Sequence, residues 1–159
     1  MIRRVSAVLF ACTVGAGPML GAGEPIELKA SQMGGGIDME SDWAVQLKGP
    51  EVRVSRRGDS NAKTIRLSVG ELETIQRALD QSQFSALRKE YGCTACMDNP
   101  VCSVQVSGSG AHTVAVHAYS SDGAPGPDTP EGRELRRFGL VWEAVKKIAG
   151  LGRTKNLCP

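Results

Sequence analysis

Residues 43–54 read Trp-Ala-Val-Gln-Leu-Lys-Gly-Pro-Glu-Val-Arg-Val, and this stretch decides the fold class. Apolar side chains alternate with polar or small ones on both sides of Gly49 and Pro50, which are typical turn residues. Alternation with a period of two gives a strand one buried face and one solvated face, as in antiparallel sheets. The stretch therefore predicts two neighbouring strands of an antiparallel sheet.

The same alternation recurs on both sides of this stretch. Residues 26–30 and 65–67 show it in the front half of the chain. In the second half, residues 104–106 and 114–116 show it around a turn that is rich in Ser and Gly, which is the pattern of a hairpin. These segments predict a sheet of about five to six strands.

Two amphipathic helices are expected to pack on this sheet. Ser68 and Glu71 form the pattern of a capping box at the start of the first helix, and Thr129 with Pro130 begins the second. The apolar residues that line the second helix at three- and four-residue spacing are Leu135, Phe138, Val141, Trp142, Val145 and Ile148. Four strands, a helix, a hairpin and a second helix predict an α+β domain, an antiparallel sheet packed by two helices and stapled by disulfides.

The N-terminus has the three-part plan of a secretory signal peptide. Arg3 and Arg4 precede an uncharged run that ends in small residues near Gly23. We therefore expect residues 1–22 to be a cleaved signal peptide and residues 24–159 to be a single α+β domain, periplasmic or extracellular. One alternative is an uncleaved anchor, since the uncharged run from Val5 to Gly23 has 19 residues and could span a bilayer. The other is a lipoprotein, since Leu9-Phe10-Ala11-Cys12 loosely resembles a lipobox, and a membrane partner is expected only if Cys12 is lipidated.

Charge and composition exclude several classes of function. Removal of the leader takes away Arg3 and Arg4 and leaves 17 basic and 17 acidic residues, so the mature chain is formally neutral. A basic cluster survives at Arg53, Arg56, Arg57, Lys63 and Arg66, and a solvated strand face explains it. Neutral charge and only seven aromatic residues argue against nucleic acid as a partner.

The cysteine count agrees with export. Without Cys12 the chain keeps an even number of cysteines, Cys93, Cys96, Cys102 and Cys158, and in an oxidising compartment four cysteines predict two disulfides. Three pairings are possible. We favour one that ties Cys158 back to the loop between Cys93 and Cys102, because a long closed loop removes the most entropy from the unfolded chain.

The sequence predicts no catalytic, cofactor-binding or metal-binding residues. The motif of Cys93 and Cys96 is followed by turn residues rather than by a helix, unlike a thioredoxin-type site. His112 and His117 are five residues apart on one strand, so they lie on opposite faces and cannot share a metal ion. A small hydrolase that uses acidic residues remains an alternative through Asp38, Glu40 and Asp42, which are alternate residues.

The segment from Met33 to Met39 is the candidate for binding a protein partner. Three consecutive glycines give it a backbone with little intrinsic stiffness, and three apolar side chains flank them. Such side chains can serve as anchors in a partner's pocket. The residues proposed for this site are Met33, Gly34, Gly35, Gly36, Ile37 and Met39.

The order of motifs over roughly residues 26–149 resembles the emfourin-like group of small bacterial proteins, whose named member inhibits thermolysin-like metalloproteases. The elements that carry the resemblance are Ile26-Glu27-Leu28 before Gly34-Gly35, Leu67-Ser68 with Glu71-Leu72, Phe84 with Leu87, Asp98 before Val104 and Val106, and His112-Thr113-Val114 with Val116. The resemblance implies an antiparallel sheet with helices, no cofactor, and loops that enter a protease cleft. The cysteines, the loop at 120–130 and the leader are not part of that plan, and no contact residue is transferred.

The sequence therefore predicts an exported small binding module rather than an enzyme. Its expected partner is a protein, in particular a secreted metalloprotease that it inhibits. Besides the small hydrolase, the other alternative is an envelope-associated lipoprotein or structural protein.

Overall fold

The computed structural model of the chain describes residues 25–34, 41–96, 99–107, 110–119 and 123–152. The expected signal peptide at residues 1–22 lies outside the described residues, and so does Cys158. Everything stated below about the structure concerns the described ranges.

Seven strands form one sheet. In chain order they are β1 (Glu27–Met33), β2 (Trp43–Lys48), β3 (Glu51–Arg56), β4 (Lys63–Arg66), β5 (Glu90–Tyr91), β6 (Val101–Ser107) and β7 (His112–His117). Their order across the sheet is β4-β3-β2-β1-β6-β7-β5. The predicted pairing of β2 with β3 is confirmed, with Val45 opposite Val54 and Leu47 opposite Val52. The stretch with the clearest alternation in the sequence thus forms two neighbouring interior strands of the sheet.

The prediction of five to six antiparallel strands is corrected to seven strands with one parallel pair. The additional strand, β5, consists of Glu90 and Tyr91 and runs parallel to β7, opposite Ala115 and Val116. Two residues are too few to show alternation, and their pairing depends on a partner about 25 residues away in the chain. All other pairs in the described sheet are antiparallel.

Two helices cover one face of the sheet, as predicted. Helix α1 (Val69–Ser82) begins with the full capping box, because the Ser68 hydroxyl accepts from the Glu71 N–H and the Glu71 carboxylate accepts from the Ser68 N–H. The backbone and side-chain hydrogen bonds from Ser68 lower the pKa of Glu71. Helix α2 (Pro130–Ile148) begins with Thr129, whose hydroxyl accepts from the Gly132 N–H at 3.0 Å.

The core lies between the helices and the sheet. Trp43 of β2 stacks on Trp142 of α2 with ring centroids 4.9 Å apart, and Phe138 stacks on the same indole at 5.8 Å. Phe138 and Trp142 are fully buried. Burial of side chains of this size contributes about 1.5–3 kcal/mol each, so this aromatic contact helps to hold α2 on the sheet together with the other buried residues of the helix.

Arg137 of α2 joins the two helices. Its Nε donates to the Ser82 carbonyl at 2.6 Å, and its Nη2 donates to the Gln83 carbonyl at 3.2 Å. These carbonyls lie at the C-terminal end of α1. Carbonyl groups at this end of a helix have no hydrogen-bond donor within the helix. Arg137 therefore caps α1 from the neighbouring helix.

The expectation that disulfides staple the fold is also corrected. Cys93 and Cys96 are bonded to each other, so this bridge closes a very short loop rather than joining distant elements. Loop-entropy estimates give about 3 kcal/mol for a 15-residue loop and less for a shorter one. Cys102 is disulfide-bonded as well. The favoured link to Cys158 stays a prediction.

Within the described part of the chain, none of the helices combines the length and the apolar character needed to span a membrane.

Two glycines of α2 provide a matched test of how closely this helix packs. A Cβ on Gly132 would lie 2.2 Å from the Gly126 carbonyl oxygen, whereas a Cβ on Gly139 would meet nothing within 4 Å. We expect Gly132→Ala to lower the free energy of unfolding by ~1–3 kcal/mol because the backbone at Gly126 must move. Gly139→Ala should raise it by up to ~1 kcal/mol, since alanine favours a helix over glycine. Urea unfolding followed by circular dichroism measures both, and equal effects would contradict the close approach.

Candidate functional site

The predicted protein-binding segment begins at the end of β1. Met33, the last residue of that strand, is 61% exposed and is one of three large apolar residues that are exposed in the described structure. Gly34, which follows it, is buried. The other residues of the predicted site, Gly35, Gly36, Ile37 and Met39, lie outside the described residues. The structure thus gives the entry to the segment and its exit at Ser41.

Asp42 holds the entry and the exit together. Its Oδ1 accepts from the Gly34 N–H, and its Oδ2 pairs with Arg57 Nη1 at 3.1 Å. The Asp42 carbonyl also accepts from the Arg57 N–H at 3.1 Å, and Gln32 Nε2 donates to the Ser41 carbonyl at 3.1 Å. We call Gly34, Asp42 and Arg57 the Asp42 clamp. The clamp fixes both ends of the β1–β2 connection against the start of the β3–β4 turn.

The clamp bears on the hydrolase alternative. Both carboxylate oxygens of Asp42 are engaged in these contacts, and its side chain is only 18% exposed. A group held in this way positions backbone rather than activating a water molecule. Asp38 and Glu40, the other two residues of that alternative, lie outside the described residues.

A shallow cleft of about 340 Å³ lies beside the clamp, lined by Met33, Trp43, Arg56 and Arg57 among others. Trp43 is 4% exposed, and its Nε1 is the buried side-chain polar atom without a hydrogen-bond partner among the described residues. Leaving such a donor unpaired costs about 1–3 kcal/mol. The stacking on Trp142 holds this indole on the helix side of the sheet.

Two of the four predicted disulfide residues, Cys93 and Cys96, lie in one short loop, whereas Cys102 is buried in β6. The Cys96 N–H donates to the Cys93 carbonyl at 3.3 Å, which closes a turn around the exposed Thr94 and Ala95. Gly92 precedes this loop at φ +83°, and a Cβ there would lie 2.1 Å from the His117 carbonyl oxygen. Only glycine therefore lets the loop leave the sheet at this point. The contact places the disulfide beside the end of β7.

The two histidines lie on opposite faces of β7, as predicted. His112 is opposite Val106, and His117 is opposite Val101. His112 Nε2 lies 3.0 Å from the Leu87 carbonyl oxygen, and its ring meets Phe84 edge to face at 5.6 Å. His112 therefore acts as a structural contact between β7 and the short 3₁₀ helix Phe84–Ala86.

One cluster of charged and phenolic side chains was not predicted from the sequence. Arg88 Nε donates to Glu134 Oε2 at 2.9 Å, and Arg88 Nη2 lies 3.3 Å from Glu131 Oε2. The Tyr91 hydroxyl donates to Glu134 at 2.9 Å, and the Tyr119 hydroxyl donates to Glu131 at 2.5 Å. We call these five residues the Arg88 cluster. It joins the first turn of α2 to the β5 edge of the sheet.

The contacts within the Arg88 cluster shift the pKa values of its glutamates and tyrosines. The hydrogen bond from Tyr119 lowers the pKa of Glu131, and the hydrogen bond from Arg88 lowers the pKa of Glu134. Burial, together with the hydrogen bonds to these carboxylates, raises the pKa of Tyr91 and of Tyr119. Both glutamates are ionised and both tyrosines are neutral near pH 7, and each group has a partner. The cluster is therefore a structural joint.

The spacing of Glu131 and Glu134, which puts both on one face of the helix, is the sequence signal that points to a shared cation. Their partner Arg88 is more than 40 residues away in the chain. The sequence alone does not indicate which of the basic residues approaches them.

In the part of the chain that the structure describes, no group of three or more His, Cys, Asp or Glu side chains is placed to hold a metal ion. In comparisons with known proteins, no family model matches the chain, and no curated protein matches its sequence. The emfourin-like resemblance therefore stays a prediction from the layout of motifs.

Asp42 gives a direct test of the clamp. We expect Asp42→Ala to lower the free energy of unfolding by ~1.5–3 kcal/mol, because the Gly34 N–H and the Arg57 guanidinium lose a charged acceptor. Asp42→Asn keeps one acceptor oxygen and should cost less. Asp59→Ala, at an exposed position of the β3–β4 turn, is the control and should stay within ~0.5 kcal/mol of wild type. If Asp42→Ala and Asp59→Ala unfold alike in urea, the clamp does not stabilise the loop.

Proposed function

We propose that this protein is an exported binding module that contacts a protein partner through the β1–β2 end of its sheet, and that the partner is a secreted metalloprotease which it inhibits. The single observation that carries the proposal is the exposed Met33 next to the Asp42 clamp. On a fixed base, an exposed large apolar side chain is suited to fill a pocket on another protein.

The clamp supports an inhibitory role because it limits the entropy lost on binding. A connection whose two ends are free must be ordered when it enters a cleft, and each immobilised side chain costs about 0.5–1.5 kcal/mol. Here Asp42 already fixes the backbone at Gly34 and at Arg57 before any partner arrives. Protein inhibitors of proteases gain affinity by this kind of preorganisation.

The chemistry of the region suits an apolar pocket with an acidic rim. Met33 supplies a flexible thioether that adapts to irregular pockets. Arg56 and Arg57 border the cleft beside it, and both are exposed. These arginines would lie at the edge of the contact, where charge sets the rate of association more than the affinity.

The sequence of residues 1–22 and the disulfides support export. A disulfide at an exposed position persists in an oxidising compartment and is rare in the cytosol. The bond between Cys93 and Cys96 is of this kind, since Cys96 is exposed. Anchoring of the chain by a lipid on Cys12 is the alternative form of export.

The mass of the protein recovered from its native compartment tests export. We expect the mass of a chain that lacks residues 1–22 and four hydrogens, because the signal peptide is removed and two disulfides form. An added diacylglycerol on Cys12 would establish the lipoprotein instead. A full-length chain in the cytosol with all thiols open to alkylation would contradict export.

Inhibition of secreted thermolysin-like metalloproteases tests the partner class. We expect the folded chain to slow such a protease at near-stoichiometric amounts, and Met33→Asp to weaken inhibition by about tenfold or more, which corresponds to ~1.4 kcal/mol. The loss follows because an aspartate cannot enter an apolar pocket without losing its hydration. Initial rates measured over a range of module concentrations give the inhibition constant.

Val69→Asp is the matched control. Val69 is 73% exposed at the start of α1, so the same loss of apolar surface and the same gain of charge occur on a helix instead of at the end of β1. It should leave the inhibition constant unchanged. Failure of the wild-type chain against a panel of secreted metalloproteases would contradict the inhibitor proposal, and equal losses in the two variants would remove Met33 from the contact.

A further inference from the structure

The face of the sheet opposite the helices is uncovered in the described structure. Its residues alternate with the core residues along every strand, and most of them are exposed or half-buried polar side chains. The strand register arranges them in rows that run across the sheet, roughly perpendicular to the strands. In one row the side chains are long and mostly polar, and in the next row they are short.

The short row forms the floor of a trough. It crosses five strands through directly opposed residues, which are Ser55, Ala44, Ser31, Ser103 and Ala115. The long polar row beside it consists of Arg53, Gln46, Lys29, Gln105 and Thr113. On the other side Met33, Val101 and His117 border the floor. A cavity of about 600 Å³ lies over these rows, and it is lined by the whole polar row and by Ser55, Ala44, Ser31 and Ser103 of the floor.

The charge of the trough is unbalanced. Lys29 and Arg53 both line it, and no carboxylate does. Within the described ranges, neither of these cations has an ion-pair partner, whereas Lys48, Arg57 and Arg88 each pair with a carboxylate. Two unpaired cations on one side of a concave surface attract an anionic ligand and repel a cationic one.

The neutral groups of the trough suit a peptide backbone. Gln46 and Gln105 stand in the same row as the cations, and each offers amide donors and an acceptor. The Ser31 and Ser103 hydroxyls lie 2.9 Å apart on the floor. None of the lining residues is aromatic, so the trough has no surface on which nucleic-acid bases could stack.

The dimensions of the trough set the length of its ligand. Five strands spaced about 4.8 Å apart make a trough of roughly 19 Å, and an extended chain advances about 3.3 Å per residue. Roughly six residues therefore fit. A longer segment would extend past β3 on one side or past β7 on the other.

We propose that this trough binds an acidic, extended segment of a partner protein, about six residues long, with its carboxylates toward Lys29 and Arg53. The inference does not depend on inhibition of a protease or on Met33 as an anchor. The trough adjoins the cleft at Met33, with which it shares Ser31, Ala44 and Ser55, and it extends the contact surface across the face that the helices leave open.

Labelled peptides of three, six and nine glutamates are suitable probes, with peptides of glutamine as the neutral comparison. Fluorescence anisotropy at low ionic strength gives the dissociation constant of each with the folded chain. We expect glutamate peptides to bind at least tenfold more tightly than glutamine peptides. Affinity should rise from three residues to six and change little from six to nine, because the trough is then full.

Three variants locate the site. Lys29→Glu combined with Arg53→Glu should weaken binding of the six-residue peptide at least tenfold. Arg77→Glu combined with Lys147→Glu makes the same change of net charge on exposed helical positions and should weaken it less than threefold. Ala44→Tyr fills the floor at an exposed position without changing the charge, and it should also weaken binding at least tenfold. Thermal melts establish that each variant is folded.

Three results would overturn the proposal. Equal losses in the two charge-reversed double variants would mean that the peptides respond to net charge alone. Affinity that keeps rising from six to nine glutamates, or binding that is unaffected by Ala44→Tyr, would mean that the trough is not the site. Tighter binding of a six-nucleotide single-stranded DNA than of the six-residue peptide would assign the face to a different class of ligand.

Discussion

The stacking of Trp43 on Trp142 is the interaction on which the rest of the structure depends. It joins the second strand to the last helix, and Phe138 extends the same contact along α2. Because successive strand residues point to opposite faces, burying Trp43 under the helix commits Ala44 and Gln46 to the other side of the sheet. The core contact and the open polar face are therefore two results of one alternation.

Most of the fold could be predicted from the sequence because its elements carry local signals. The alternation in residues 43–54 and the capping box at Ser68 each depend on residues within a few positions of one another. The strand β5 has no such signal, since two residues acquire their state only from pairing with Ala115 and Val116. Its absence from the prediction follows from its length.

The candidate site could be predicted only in part. The sequence singles out Met33 by its place beside three glycines, and its side chain is exposed. Its role as an anchor stays a prediction. The clamp could not be predicted, because alternation in the sequence groups Asp42 with Asp38 and Glu40, whereas its partners in the fold are Gly34 and Arg57. The Arg88 cluster could not be predicted for the same reason. Its two glutamates are neighbours on a helix, but Arg88 and the tyrosines reach them only through the fold.

The two outermost strands of the sheet are its shortest, with four residues in β4 and two in β5. An edge strand offers unpaired N–H and C=O groups along its length, and another copy of the chain can add to it as a further strand. A two-residue edge presents too few of these groups to hold such an addition, and Lys63 and Arg66 give β4 a positive charge that repels its own copy. The sheet therefore resists edge-to-edge aggregation at both ends, which leaves its broad polar face accessible at high protein concentration.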